Sequence, residues 1–384
     1  MTVERVLLRA FVKASNLTYA VLKLLPVRHK VVFITWDSNR VTLDFRLLAE
    51  RLAALPHPPK TVMLCRELRP GVLNYISYFF HMLRQMYEMA TSEVLVLDAY
   101  CVLASILKHR PSLRVVQIWH ALGSFKKFGW SIVDKSEGWS AQSNIPSRTL
   151  AGILHMHEGY TAGVVSYSGA IPHFTDAFHA DPSIFHVAWL PRVDALRDEE
   201  MVSNLRHHII AAHPELAGHK VVLYAPTIRR TAMDTAPIIA LVDAIAGVDW
   251  ALIVKPHPVR GEKPRAVFPE QAVNAPDFSA LQLLTLADAV ITDYSAIAYE
   301  AYLRDIPVYF YAHDIHEYEQ ARGFYVPPTE FPSTIYSTPD QLVADMVAGV
   351  ADHDAMRRFV DVFLEDSDRR VDIVDLINPD KPLP

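Results

Sequence analysis

The sequence predicts an α/β protein of two domains, each a parallel sheet flanked by helices. Three observations predict it. Short apolar runs alternate with longer stretches of helical period. That alternation stops and restarts near the middle of the chain. At 384 residues the chain is too long for one ordinary core and suits two domains. Hydrophobic residues make up 51% of the sequence, and the mean hydropathy of +0.12 describes a globular chain with ample surface to bury.

The first element is basic and amphipathic. Residues 1–30 hold Arg5, Arg9, Lys13, Lys23, Arg28 and Lys30 against Glu4, a net +5, so the remainder carries −11 of the overall −6. Val6, Leu7, Ala10, Phe11, Leu17, Val21 and Leu22 recur at helical spacing beside these cations. Such a helix either lies on an anionic membrane surface or packs on its own domain, and the spacing alone leaves both open. The cations interrupt any signal-peptide core, and no uncharged apolar run reaches the roughly 18 residues a spanning helix needs. The charge balance argues against a nucleic-acid binder. Two cysteines, Cys65 and Cys101, exclude a disulfide framework and point to a reducing, cytosolic setting.

Next come VVFIT (31–35), TVMLC (61–65), EVLVLD (93–98) and LRVVQIW (113–119), buried strands by composition. Helical stretches such as LDFRLLAERLAAL and GVLNYISYFFHMLRQMYEMA separate them. FHVAWLPRVDALRDEE runs from a strand through Pro191 into a charged stretch, a crossover near residues 190–200. The pattern restarts with KVVLYAP (220–226), WALIVKP (250–256), DAVITD (288–293) and IPVYFY (306–311). The expected boundaries are therefore a membrane-associating segment at 1–30, an N-terminal domain at 31–195 and a C-terminal domain at 196–384.

In a doubly wound sheet, ligands bind beyond the carboxyl ends of the strands. Those positions hold Trp119 and His120, then Thr227 and Arg229, then Lys255 and His257, then Asp293, Tyr294 and Ser295. His120, delivered by VVQIW into a small-residue turn with Lys126 and Lys127 beyond it, is either a packed core residue or a catalytic base. Asp293 and Ser295 read as a helix N-cap, which is compatible with a phosphate site at a helix start, and Glu300 is either a ribose ligand or a solvated helical acid. Arg229 and Lys255 have the charge a pyrophosphate requires.

Neither G-x-G-x-x-G nor G-x-x-x-x-G-K-[ST] occurs, so Rossmann dehydrogenases and P-loop NTPases are poorly supported. The D-x-D strings Asp352-His353-Asp354 and Asp366-Ser367-Asp368 read as a solvated face, and His155, His157 and Glu158 lack the spacing of a metal site. No metal and no cofactor are expected.

WHALGSFKKFG, YAPTIR, KPHP and TDYSAIAYEAYLRDIPVYFY followed by ARGFY, in that order, resemble the CDP-glycerol glycerophosphotransferase family of teichoic acid synthesis. Each piece alone is weak; the ordered set is specific and covers nearly the whole chain to about residue 350. Ala121 after His120 looks more like the primase members than the polymerases, which tend to have W-H-G there. Two departures stand out: Ala296 replaces a serine frequently found after D-Y-S, and Glu300 stands where many members have aspartate.

The resemblance implies a glycosyltransferase-B type fold of two Rossmann-like domains, with CDP-glycerol in the C-terminal domain and the acceptor in the N-terminal one. It implies His120 as general base and His257 as stabiliser of the pyrophosphate or departing CMP. Arg229, Lys255, Ser295, Thr227 and Asp293 then line the donor phosphates and Glu300 the ribose, with Trp119, Lys126 and Lys127 on the acceptor side. The implied reaction moves glycerol phosphate from CDP-glycerol to a hydroxyl of an undecaprenyl-diphosphate-linked disaccharide of the N-acetylmannosaminyl-N-acetylglucosamine type, releasing CMP, in wall teichoic acid linkage-unit synthesis. Ribitol-phosphate or sugar transfer on the same fold is the alternative, and a non-catalytic lipid- or nucleotide-binding module is the more distant one. The expected location is the cytoplasmic face of the membrane, peripherally bound, and a homo-oligomer is compatible with the sequence.

Overall fold

The computed structural model describes residues 3–138, 145–227, 236–255 and 272–384. The chain divides into two compact units: Met1–His120, Lys127–Pro191 and Glu365–Pro384 form one, Ala121–Lys126 and Arg192–Leu364 the other. Set against the expected 31–195 and 196–384, the main division falls at Pro191, six residues after His120 belong to the second unit, and the last twenty return to the first. The return has visible causes within the first unit. Glu365 accepts from the Ser168 amide, Arg51 pairs with Asp372 at 2.7 Å, and the Arg114 guanidinium donates to the carbonyls of Leu376, Asn378 and Lys381.

The first unit holds a six-stranded sheet with all neighbours parallel: β1 (Lys30–Thr35), β2 (Lys60–Cys65), β3 (Val94–Leu97), β4 (Arg114–Gln117), β5 (Ala162–Val165) and β6 (Phe185–Val187). Their order is β2-β1-β3-β4-β5-β6. Every residue of β1 and β3 is buried, which is why these strands read as unbroken apolar runs rather than alternating ones. The second unit holds β7 (Lys220–Tyr224), β8 (Trp250–Val254), β9 (Ala272–Val273), β10 (Ala289–Thr292), β11 (Val308–Tyr311) and β12 (Ile335–Tyr336), ordered β12-β11-β10-β7-β8-β9 and again parallel. Both are doubly wound α/β sheets. The winding reverses between β1 and β3 in the first and between β7 and β10 in the second, and those reversals open the crevices where such sheets take ligands.

The strand expected to run to Trp119 ends at Gln117, because Trp119 adopts a left-handed backbone, φ +60°. The N-terminal helix, Val3–Leu22, is present as expected. It is clamped to the first unit by Asn16, which donates to the Ile106 carbonyl (2.8 Å) and accepts from the Lys108 amide (2.9 Å), and by Tyr19 against His109 (2.9 Å). No helix among the described residues is long and apolar enough to cross a membrane.

Candidate active site

In the first unit, His120 is exposed just beyond β4. It is therefore not a packed core residue. Its Nδ1 lies 3.0 Å from the Asp98 carbonyl oxygen, which can only accept, so Nδ1 carries a proton and in the neutral ring Nε2 is the acceptor nitrogen. Trp119 beside it is half-buried and stacks on Phe128 (4.5 Å between centroids), with Phe174 and Phe178 edge-on. A bulky residue in the left-handed region costs on the order of 1–3 kcal/mol, a strain that persists only where surroundings over-determine it. Lys127 is half-buried in the same unit.

In the second unit, β7 and β10 flank the point where the winding reverses, and their carboxyl ends are bonded together. The Asp293 carboxylate accepts from the amides of Thr227 (2.8 Å) and Tyr294 (2.6 Å), and the Thr292 hydroxyl donates to the Ala225 carbonyl (2.7 Å). Asp293 is thus a brace between strand ends. It is not the helix cap the sequence suggested, because the helix opens only at Ile297 with Ala296 at the cap position. Ser295 Oγ accepts from the Ile297 amide at 3.4 Å. Lys255 follows β8, its amide donating to the Tyr224 carbonyl (2.8 Å) and its ammonium to the Ala275 carbonyl (3.1 Å). Arg229 and His257 lie outside the described residues.

Lys126 and Lys127, expected together on the acceptor side, separate. Lys126 belongs to the second unit, where its ammonium lies 3.3 Å from the Thr227 hydroxyl and its backbone forms a β-bridge with Phe324. The segment that carries it is anchored within that unit: Phe125 packs on Phe331 (4.4 Å), and its carbonyl accepts from the amides of Tyr325 and Val326. Gly123 packs against the buried Tyr299 ring, and a Cβ there would come within 2.3 Å of its Cζ. Gly123→Ala is accordingly expected to destabilise the protein by about 1–3 kcal/mol, as overpacking does. Urea unfolding of the variant against wild type checks this.

Glu300 is buried, not a solvated helical acid, and its Oε1 pairs with Arg192 Nη1 at 3.0 Å within the second unit. Arg192 was not singled out by sequence; its only signal was a position just past the crossover proline. Gln117 was missed too, although a polar residue inside the apolar run VVQIW was visible. Residues read as having no metal role are engaged elsewhere. Asp352 caps its helix, Asp354 pairs with Arg357, Asp366 with Arg370 and His155 with Glu158, while His157 is buried against Phe178.

The family described as CDP-Glycerol:Poly(glycerophosphate) glycerophosphotransferase matches residues 17–375. The chain is 31% identical over 349 residues to the teichoic acid ribitol-phosphate primase of Bacillus spizizenii, covering 88% of this chain and 87% of that protein. It is 29% identical to the teichoic acid glycerol-phosphate primase of the same organism, over 67% of this chain and 65% of the relative. The solved structure of the wall teichoic acid polymerase TagF superposes with a TM-score of 0.69 at 17% identity, covering 95% of this chain and 93% of that one, which supports the glycosyltransferase-B type fold. With two doubly wound parallel sheets and a match across nearly its whole length, the chain belongs to the CDP-glycerol glycerophosphotransferase family of teichoic acid synthesis.

Proposed function

We propose that the protein transfers a polyol phosphate from a CDP-activated donor to a hydroxyl of a lipid-linked disaccharide. The observation that carries this reading is the His120 ring, exposed at a strand's carboxyl end with Nδ1 committed to the Asp98 carbonyl, which makes Nε2 the basic nitrogen of the neutral ring. In the proposed step, the acceptor hydroxyl loses its proton to Nε2 as its oxygen attacks the polyol-bearing phosphorus of the donor. The bond from that phosphorus to the bridging oxygen breaks, and CMP departs with the bridging oxygen and its charge. Cations and amides held in place before reaction stabilise that charge without reorganising. Lys255, Thr227 and Ser295 supply such groups at the strand ends of the second unit, with Arg229 and His257 assigned by the resemblance.

Lys126, on its observed packing, joins the donor side of this scheme. Lys126→Met is expected to raise the KM for the CDP donor about ten- to a hundredfold, the worth of a charge-assisted hydrogen bond, and to leave the acceptor KM unchanged. Steady-state kinetics with each substrate varied in turn separates the two.

Glycerol phosphate is the group the sequence reading assigns. A second reading, ribitol phosphate, is favoured by one observation: the ribitol-phosphate primase aligns over 88% of the chain and the glycerol-phosphate primase over 67%. Incubation with CDP-glycerol, CDP-ribitol and UDP-sugars plus a lipid-disaccharide analogue tests the reading. Release of CMP from a CDP-polyol and no UDP from the sugars is expected; UDP release alone would overturn it.

The reading places the protein on an anionic membrane surface, where a lipid-linked acceptor resides. Val3, Leu7, Leu17 and Val21 of the N-terminal helix are exposed, as are Val72, Leu73, Tyr75, Ile76, Phe79 and Phe80 at the start of helix Val72–Ala90 in the same unit. Such apolar surface beside cations suits an interfacial site. Phe79→Ser/Phe80→Ser is expected to abolish flotation with phosphatidylglycerol vesicles at low salt. This substitution tests the surface more cleanly than removing residues 1–25, which would also delete the Asn16 and Tyr19 clamps.

A further inference from the structure

We propose that Gln117 is the positioning residue for His120, holding it in the Nδ1-protonated tautomer through the strand-end bonds its amide makes. The inference rests on the reading of His120 as a general base and adds a group that reading does not contain.

Three successive carbonyls at the end of β3 accept from the end of β4. The Leu97 carbonyl accepts from the Ile118 amide at 2.8 Å, the Asp98 carbonyl from His120 Nδ1 at 3.0 Å, and the Ala99 carbonyl from Gln117 Nε2 at 3.1 Å. The carbonyl that selects the tautomer of His120 is therefore bracketed on both sides by bonds that fix its direction. Gln117 also acts on the other end of the ring's support. Its Oε1 accepts from the Trp119 amide at 3.0 Å, which holds the left-handed turn that swings His120 off the strand.

The remaining amide hydrogen of Gln117 is used as well. Nε2 also donates to the Tyr160 hydroxyl at 3.3 Å, so that hydroxyl's own hydrogen is free to go to His157 Nδ1 at 2.9 Å. His157 stacks on Phe178 at 4.2 Å between centroids, and Phe178 meets Trp119 edge-on at 5.6 Å, closing the support around the indole next to His120. Burial pushes the His157 imidazole down to about 3, so it stays neutral and its Nδ1 remains an acceptor across the working pH range. Gln117 is 1% exposed, and a side chain with a donor and an acceptor both used in a buried site admits few substitutes. Glutamate would keep an acceptor for Trp119 but bring no amide hydrogens for Ala99 and Tyr160.

The experiment compares wild type, Gln117→Met and Tyr160→Phe as full-length protein. Long-range proton–nitrogen spectra of nitrogen-15 histidine-labelled protein read the tautomer, with the His120 signal assigned by its loss in His120→Ala. The expected result for Gln117→Met is a mixture of His120 tautomers and a kcat lower by on the order of tenfold to a hundredfold, with the KM for the CDP donor unchanged. Tyr160→Phe, which keeps the bonds to Trp119 and Ala99, is expected to show the same change to a smaller extent, and it carries the test if Gln117→Met fails to fold. A single Nδ1-protonated tautomer with wild-type kcat in the folded variants would overturn the proposal. Failure of the general-base reading is a separate outcome: His120→Ala would then turn over normally, while the tautomer comparison still reports on Gln117.

Discussion

His120→Ala is expected to lower kcat by about a hundred- to ten-thousandfold, the usual worth of a positioned general base, with donor affinity and thermal stability unchanged. The stability expectation follows from the ring's exposure and from the place of its bond to the Asp98 carbonyl, at the rim of the sheet rather than in its core. His120→Asn sharpens the test. Its amide can still donate to that carbonyl, but it has no basic nitrogen, so it is expected to be as impaired as the alanine variant. Recovery of turnover in the asparagine variant would show that the residue positions a loop instead of moving a proton. The readout is CMP release under saturating donor, with nucleotide affinity measured separately by titration.

Arg192→Met is expected to produce the largest loss of stability, about 3–5 kcal/mol, because it removes a shielded ion-pair partner of the Glu300 carboxylate inside the second unit. The pair is well shielded, with side-chain exposures of 13% for Arg192 and 5% for Glu300, so solvent screening offsets little of that loss. Replacing both residues, Arg192→Met with Glu300→Gln, is expected to recover most of it, since a neutral pair leaves no buried charge to satisfy. Urea unfolding midpoints of the two single variants and the double variant form the cycle that checks this. Equal loss in the single and double variants would mean that packing of the arginine stem, not the charge, is what matters. The same glutamate was assigned to the donor ribose by the resemblance. Donor affinity of Glu300→Gln, measured alongside, separates a binding role from a structural one.

The order of elements was legible because parallel strands buried on both faces appear as continuous apolar runs; VVFIT and DAVITD could scarcely be anything else. The two-residue strands at Ala272 and Ile335 were not legible, since so short a run has no periodicity to read. The domain boundary was displaced for a reason no local pattern carries. The last segment rejoins the first unit through Glu365, Asp372 and the carbonyls that Arg114 collects, contacts between residues hundreds of positions apart.

At the site, the strand-end rule brought out His120, Thr227, Lys255 and Asp293 as candidates, because side chains just past buried strands must emerge at one edge. What it could not supply was direction. Asp293 turned inward to brace Thr227, Lys126 went to the second unit while Lys127 stayed with the first, and Glu300 was taken up by Arg192. Gln117 was in plain view in VVQIW, but its importance lies in three bonds to Ala99, Trp119 and Tyr160 that only the folded chain assembles.

Mass spectrometry of the lipid-disaccharide acceptor, after incubation with CDP-glycerol and CDP-ribitol separately and then in equal mixture, tests polyol-phosphate transfer most directly. The expected result is an acceptor heavier by one polyol phosphate with wild type and unchanged with His120→Asn. In the mixture, the size of the increment identifies the donor. An acceptor of unchanged mass while CMP still accumulates would contradict transfer, and would mean that the protein hydrolyses its donor instead.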